Sequence, residues 1–341
     1  MDLIEACKVG NLEEVKKLAE LENIDKNATL SYAVKVGNLE IVKYLIEKGV
    51  NAEEKNAALK DAVFFNHLDV VRYLVEQGAD IHIHSDWPIR WAAERSSIEI
   101  IKYLVEKGAN IHAEDDYALR WAVHRNRVDV VKYLIEKGAN VTADNNAALK
   151  RALVGGYMEI AKYLIEKGAS IDWSRELPWV AMNGHLEAVK FLVEEKGADI
   201  HVEEDAPLRY SAEYGYLEVV KYLVEQGADI HACNDLALLE AICKKELEVV
   251  KYLVEHGAHI DEYALEAAIR IGEVEMLKYL IEKGADVRKV DYSSLVSKRK
   301  YKEILNLLWD NIPEQELLQF LVSENDKLRK ATKAYLRKGE R

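Results

Sequence analysis

The chain has 341 residues, is 49% hydrophobic by count and holds only four prolines, a length that exceeds one ordinary core and leaves two domains or a repeat array. No run approaches the roughly 18 consecutive apolar residues of a membrane span. Three cysteines, Cys7, Cys233 and Cys243, form no CxxC pair, which excludes a disulfide framework or a cysteine-built zinc site and suits a reducing compartment. The net charge is −13, yet residues 326–341 carry seven bases and two acids, so the rest of the chain has a net of −18. So acidic a body repels phosphate backbones and argues against nucleic acid as the ligand. The opening Met1-Asp2-Leu3-Ile4-Glu5-Ala6 lacks the basic-then-apolar order of a secretory signal.

Read from the N-terminus, the chain repeats itself. Each repeat has one aliphatic anchor: Leu3, Leu30, Leu59, Ile89, Leu119, Leu149, Leu177, Leu208, Leu238 and Leu265, spaced by 27 to 31 residues. Alanine follows three residues later in eight of the ten, and leucine fifteen residues later in all ten. Three residues before the anchor stands Asn27, Asn56, Asp86, Asp116, Asn146, Ser174, Asp205 or Asp235, a side chain suited to capping a helix's first turn. A first helix of about nine residues is expected there. After a break such as Asn183-Gly184-His185, a second helix reads like Leu217-Glu218-Val219-Val220-Lys221-Tyr222-Leu223-Val224. Glycines such as Gly108 and Gly227 end the second helices, because glycine adopts the left-handed closing conformation without steric cost.

The period fails after Asp286. Ser293-Ser294-Leu295 through Trp309 reads as a shortened eleventh repeat, and a helix from Pro313 to about Arg337 is expected to cap the series. The predicted fold is all-α, with residues 1–290 as the repeat array and 291–341 as a degenerate repeat plus capping helix.

Catalytic patterns are missing: there is no GxxxxGK[ST], HExxH or GxSxG. His82, His112, His201 and His231 recur at one turn position, but equivalent positions are displaced by roughly 8–10 Å per repeat, too far to share an ion. No enzyme, cofactor or metal is therefore expected. A basic residue thirteen after each anchor, such as Arg72, Lys132 or Lys251, has glutamates at helical spacing and reads as a solvated, ion-paired face. On the first helices, positions two and six after the anchor share a face. They hold Trp91 and Arg95, Trp121 and Arg125, Trp179 and Asn183, Tyr210 and Tyr214. Trp, Tyr and Arg dominate binding hot spots, although rings at this spacing also suit packing between repeats as core.

The phrases Gly227-Ala228-Asp229-Ile230-His231-Ala232 and Gly184-His185-Leu186-Glu187-Ala188-Val189 resemble the turn and second-helix start of the ankyrin repeat, and the likeness recurs over residues 1–290. Two departures are the period near 30 rather than 33 and forms such as Tyr117-Ala118-Leu119-Arg120 in place of Thr-Pro-Leu-His. The resemblance implies an ankyrin-type solenoid of about ten helix-turn-helix units with shortened hairpin loops and a helical C-terminal cap. It also implies a protein–protein interaction module whose concave groove would present Trp91, Arg95, Trp121, Arg125, Trp179, Tyr210 and Tyr214 to a protein partner, with no small-molecule substrate and no membrane. The abbreviated repeat is similar to ankyrin proteins of amoeba-infecting giant viruses, which implies an infected host cell's cytoplasm or nucleus. The segment Ile312 to Leu321 resembles the opening of an F-box, which implies an alternative role as a ubiquitin-ligase substrate adaptor. A structural component of a virus particle is a third reading.

Overall fold

The computed structural model describes residues 3–21, 26–95, 97–289, 302–313 and 326–339. They divide between two compact units, residues 1–171 and 172–341, so that division falls within the repeat series. Residues 290–301, which contain the boundary expected at 290 and the start of the eleventh repeat, lie outside the described residues. Among the described residues every regular element is helical.

The first unit pairs α1 (Leu3–Lys8) with α2 (Leu12–Leu21), α3 (Lys26–Val36) with α4 (Leu39–Glu47), and α5 (Ala52–Phe64) with α6 (Leu68–Glu76). It continues with α7 (Ile83–Arg95) and α8 (Ile98–Glu106), α9 (Ala113–His124) and α10 (Val128–Glu136), then α11 (Ala143–Val154) and α12 (Met158–Glu166). Within this unit successive odd-numbered helices pack on one another, and so do successive even-numbered helices. The anchors Leu59, Ile89, Leu119 and Leu149 and the later leucines Leu74, Leu104, Leu134 and Leu164 are fully buried, as are Ala62, Ala92, Ala122 and Ala152. Burying one such leucine contributes about 1.5–3 kcal/mol, and the alanines let neighbouring backbones approach.

The second unit has the same plan: α13 (Trp173–Ala181), α14 (Leu186–Lys190), α15 (Val202–Glu213), α16 (Leu217–Glu225), α17 (Ala232–Lys244), α18 (Leu247–Glu255), α19 (Glu262–Ile271) and α20 (Val274–Glu282). The single 31-residue spacing, from Leu177 to Leu208, has a local cause. Helix α14 runs on as a π turn, Phe191–Glu195, which absorbs one extra residue before Gly197 without moving Leu192 from the core. Beyond the series, α21 (Lys302–Asp310) buries Ile304, Leu308 and Trp309, and α22 (Asp326–Gly339) lays Tyr335 against it. The Tyr335 ring meets Trp309 edge-on at 5.3 Å, and its hydroxyl donates to Asp310. The expected helix from Pro313 is thus observed only from Asp326, because residues 314–325 lie outside the described residues; all of the F-box-like segment except Ile312 and Pro313 falls there.

The polar residue before the anchor does not cap its own helix, as the sequence suggested. Its side chain reaches the next repeat's turn and accepts a backbone amide there. Asn56 takes that of Asp80, Asp86 that of Asn110, Asp116 that of Asn140 and Asn146 that of Ser170, at 2.7 to 3.2 Å. In the second unit Ser174, Asp205 and Asp235 do the same for Asp199, Asp229 and His259, at 2.8 or 2.9 Å. Side-chain caps exist elsewhere: Asn51 forms a capping box with Glu54, and Asp172 and Asp261 cap α13 and α19. The side chain of Asn27 lies outside the described residues.

At five of these positions the backbone is also unusual. Residues 84–86, 114–116, 144–146, 203–205 and 233–235 are left-handed, with φ between 50 and 58°. A non-glycine residue pays about 1–2 kcal/mol for this, so the turn needs compensating bonds. Arg90 supplies two, donating to the Ser85 and His84 carbonyls at 2.8 and 2.7 Å. Arg120 and Arg209 bind the matching carbonyls of their own turns. The arginine one residue after the anchor, which departs from the family phrase, is therefore the clasp of a left-handed turn.

The basic face of the second helices is partly as expected. Glu40–Lys43, Glu218–Lys221 and Glu248–Lys251 pair along one helix at 2.7 Å. The same bases also reach the following repeat: Arg72 lies over Tyr103 at 5.0 Å, Lys132 over Tyr163 at 5.8 Å and Lys190 over Tyr222 at 5.4 Å. Burial raises the phenols of Tyr103, Tyr133, Tyr252 and Tyr279. At Tyr222, burial and then the hydrogen bond to Glu194 push the value up to about 12. A raised folded-state value favours the protonated phenol in the fold. That stability is present below about pH 10 and is lost as pH rises toward 12. The urea midpoint of the wild type should therefore fall more steeply from pH 10 to 12 than that of Tyr222→Phe; parallel curves would show that Tyr222 carries no such linkage.

Candidate partner-binding face

In the first unit the face is built on α5, α7 and α9. Trp91 is half-buried in a stack, with Phe64 of the preceding repeat at 5.4 Å and 18° and Trp87 one turn earlier at 5.3 Å and 11°. Phe65 meets Phe64 edge-on at 4.9 Å, and both phenylalanines are exposed. The Arg95 guanidinium lies 5.4 Å from the Trp91 ring. Trp121 is half-buried too, flanked by Tyr117 at 5.5 Å, His124 edge-on at 5.0 Å and Arg125 at 5.8 Å.

Glu94 ties these pieces together. It is buried, and it accepts from Arg95 at 3.3 Å and from Arg125 of the next repeat at 2.5 Å. A buried carboxylate without its cations would be costly, so this pairing fixes where both guanidiniums sit over their indoles. Arg127 does related work underneath, donating to the Ala92 and Ala93 carbonyls at 3.0 and 3.2 Å and so closing the end of α7. Its own burial lowers its pKa. The Trp91 indole nitrogen is buried with no hydrogen-bond partner among the described residues.

The second unit presents a more open patch of its own. Trp179 is 48% exposed and Tyr214 46% exposed, values that contradict the reading of these rings as core. Half-buried Tyr210 lies 6.0 Å from Trp179, with Arg209 at 5.8 Å from its ring. Lys244 sits 5.6 Å over Tyr214 and pairs with Glu213 at 3.1 Å. Asn183 folds back instead, donating to the Trp179 carbonyl at 2.8 Å. Tyr216 packs so closely on Gly184 that a Cβ there would lie 2.2 Å from its ring, and Gly184 also has φ +76°. Glu240, at the register of the tryptophans, is half-buried; burial raises its carboxyl, and Oε2 has no partner among the described residues.

The sequence row thus appears as two patches, one in each unit, and Phe64, Phe65, Trp87 and Glu94 join the first without having been anticipated. Their signal was present in the sequence: Trp87 is one turn before Trp91, and Glu94 stands beside Arg95 one period before Arg125. Burial pushes Cys7 up to about 11, and the hydrogen bond to Glu204 raises Cys233. His82, His112, His201 and His231 each bond the aspartate four residues on, as separate pairs. His259, which lies outside that row of equivalent positions, comes beside His231 and was missed. Among the described residues no helix is long and apolar enough to cross a membrane.

A family model for ankyrin repeats matches residues 3–85, 88–174, 177–234 and 230–291. The chain is an ankyrin-repeat protein. The family's repeats generally mediate contacts between proteins, and the match covers both patches of this ankyrin-repeat chain. No curated protein matches it.

The two patches differ in how far their rings are embedded. Trp91→Ala empties a three-ring stack and should cost about 2 kcal/mol or more of folding stability, whereas Trp179→Ala should cost under about 1 kcal/mol. Equal losses in urea unfolding of the two variants would contradict the geometry described.

Proposed function

We propose that this ankyrin-repeat protein is a non-enzymatic binding module that grips a protein partner with its first-helix faces. Trp91, Arg95, Trp121 and Arg125 serve in the first unit, and Trp179, Tyr210 and Tyr214 in the second. The observation that carries this reading is the exposure of Trp179 and Tyr214, large rings that an unbound surface has no packing reason to keep in water. They lie at the register which, in the family, lines the binding groove. Half-exposed arginines stacked on indoles are pre-positioned, so binding immobilises little that is not already held. Residues 291–341 act as the closing element, with α22 on α21 shielding Trp309.

The reading favours a reducing compartment, where Cys233 and Cys243 remain exposed free thiols. The likeness of the short repeat to giant-virus ankyrin proteins would make that compartment an infected host cell. No observation on the described residues favours the ligase-adaptor or virus-particle readings over this one.

The test is affinity capture from cell extract with the wild-type chain, followed by measured affinity of the captured protein for wild type and Trp179→Ala. A loss of about 2 kcal/mol, roughly thirtyfold in Kd, is expected, with folding stability lowered by less than about 1 kcal/mol. Undiminished affinity for a variant that folds normally would remove Trp179 from the binding face.

A further inference from the structure

We propose that His231, Asp235 and His259 form a binding site for a divalent transition-metal ion of the zinc type, joining two consecutive repeat turns. Asp235 lies in the left-handed turn at the start of α17, His231 just before it, and His259 in the following repeat's turn. His231 Nδ1 is 3.0 Å from Asp235 Oδ1, and His259 Nδ1 is 3.2 Å from Asp235 Oδ2. The two imidazoles stack with centroids 4.5 Å apart, and ligand atoms from all three residues lie within 4.8 Å of one another.

The distances suit an ion. Zinc–nitrogen and zinc–oxygen bonds of about 2.0–2.2 Å place neighbouring ligands of a tetrahedron about 3.3–3.5 Å apart. The existing nitrogen–oxygen separations are within a few tenths of an ångström of that edge, so an ion can enter between the carboxylate and the rings with small side-chain shifts. In the unliganded state a proton lies between each ring nitrogen and the carboxylate. With the ion bound, a neutral ring carries its proton on Nε2 and offers Nδ1 as the lone pair. Two imidazoles and one carboxylate favour zinc-type ions over the hard, all-oxygen preferences of magnesium and calcium. Three protein ligands leave the fourth position to water.

The rest of the chain supplies internal comparisons. The same histidine–aspartate pair occurs at His82–Asp86, His112–Asp116 and His201–Asp205. There the residue at the register of His259 is Asn110, Asn140 or Asp229, so no second imidazole arrives. The His231 site is also accessible: the His259 side chain is 75% exposed, and Asp235 is 13% exposed. It is preorganised as well, because the His259 amide donates to Asp235 Oδ1 at 2.9 Å and so fixes the second turn against the first. The expectation that turn histidines cannot share an ion was drawn for equivalent positions. It does not extend to His259, which sits two residues earlier in its turn than His231 does.

The experiment titrates the full-length chain with CoCl2, read by visible absorption, and with ZnCl2, read by calorimetry and by the melting midpoint. One ion per chain is expected, with the intense visible bands of low-coordinate cobalt and a zinc-dependent rise in melting temperature. His259→Asn places at this turn the residue found naturally at 110 and 140, so it should fold normally, and it should weaken zinc at least about tenfold. His112→Ala, in a turn without the third ligand, should leave the event intact. Absence of a one-to-one event, or an event of equal strength in His259→Asn, would overturn the proposal.

Discussion

The hydrogen bond from one turn's side chain to the next turn's amide is the contact on which the repeat geometry depends. An unpaired polar group in a tight turn packed against its neighbour costs free energy comparable to a lost hydrogen bond. Each turn amide therefore needs a partner that the short turn itself cannot supply. Asp86, Asp116, Asp205 and Asp235 supply it across a 24-residue gap, each from a left-handed turn. Among the five left-handed turns, three carry an arginine on their carbonyls and four a histidine on the turn's aspartate.

The helical core was legible because its rule is local. An anchor, an alanine three residues on and a leucine fifteen on describe two stripes that exclude water, and from Leu30 to Leu280 those residues are buried. The fate of the polar residue before the anchor was not legible. Capping its own helix and reaching the next turn need the same residue type at the same position, so the sequence alone does not separate them. Nor does periodicity reveal that Lys132 lies over Tyr163 of the following repeat, since a solvated face and a cation–ring ladder share one spacing.

The candidate face shows a related limit. The positions of Trp91, Trp121, Trp179 and Tyr210 were readable from the register, but their environments were not. Trp91 gained a stack because Phe64 and Trp87 happen to flank it, while Trp179 has only a distant tyrosine and stays in water. Arg95 and Arg125 read as two independent charges; buried Glu94 makes them one ion-paired group. A partner approaching this patch would meet ordered cations on aromatic faces, which favours recognition by geometry as much as by charge.

The lock between turns can be measured directly by residue-resolved amide hydrogen exchange. The amides of Asn110, Asn140 and Asp229 belong to exposed turn residues and would exchange at loop rates if solvent were their partner. The account predicts exchange slowed by about two orders of magnitude or more, comparable with the helix amides on either side, and loss of that protection at Asn140 alone in Asp116→Ala. Rapid exchange of these amides in the wild type, with the helices protected, would contradict it.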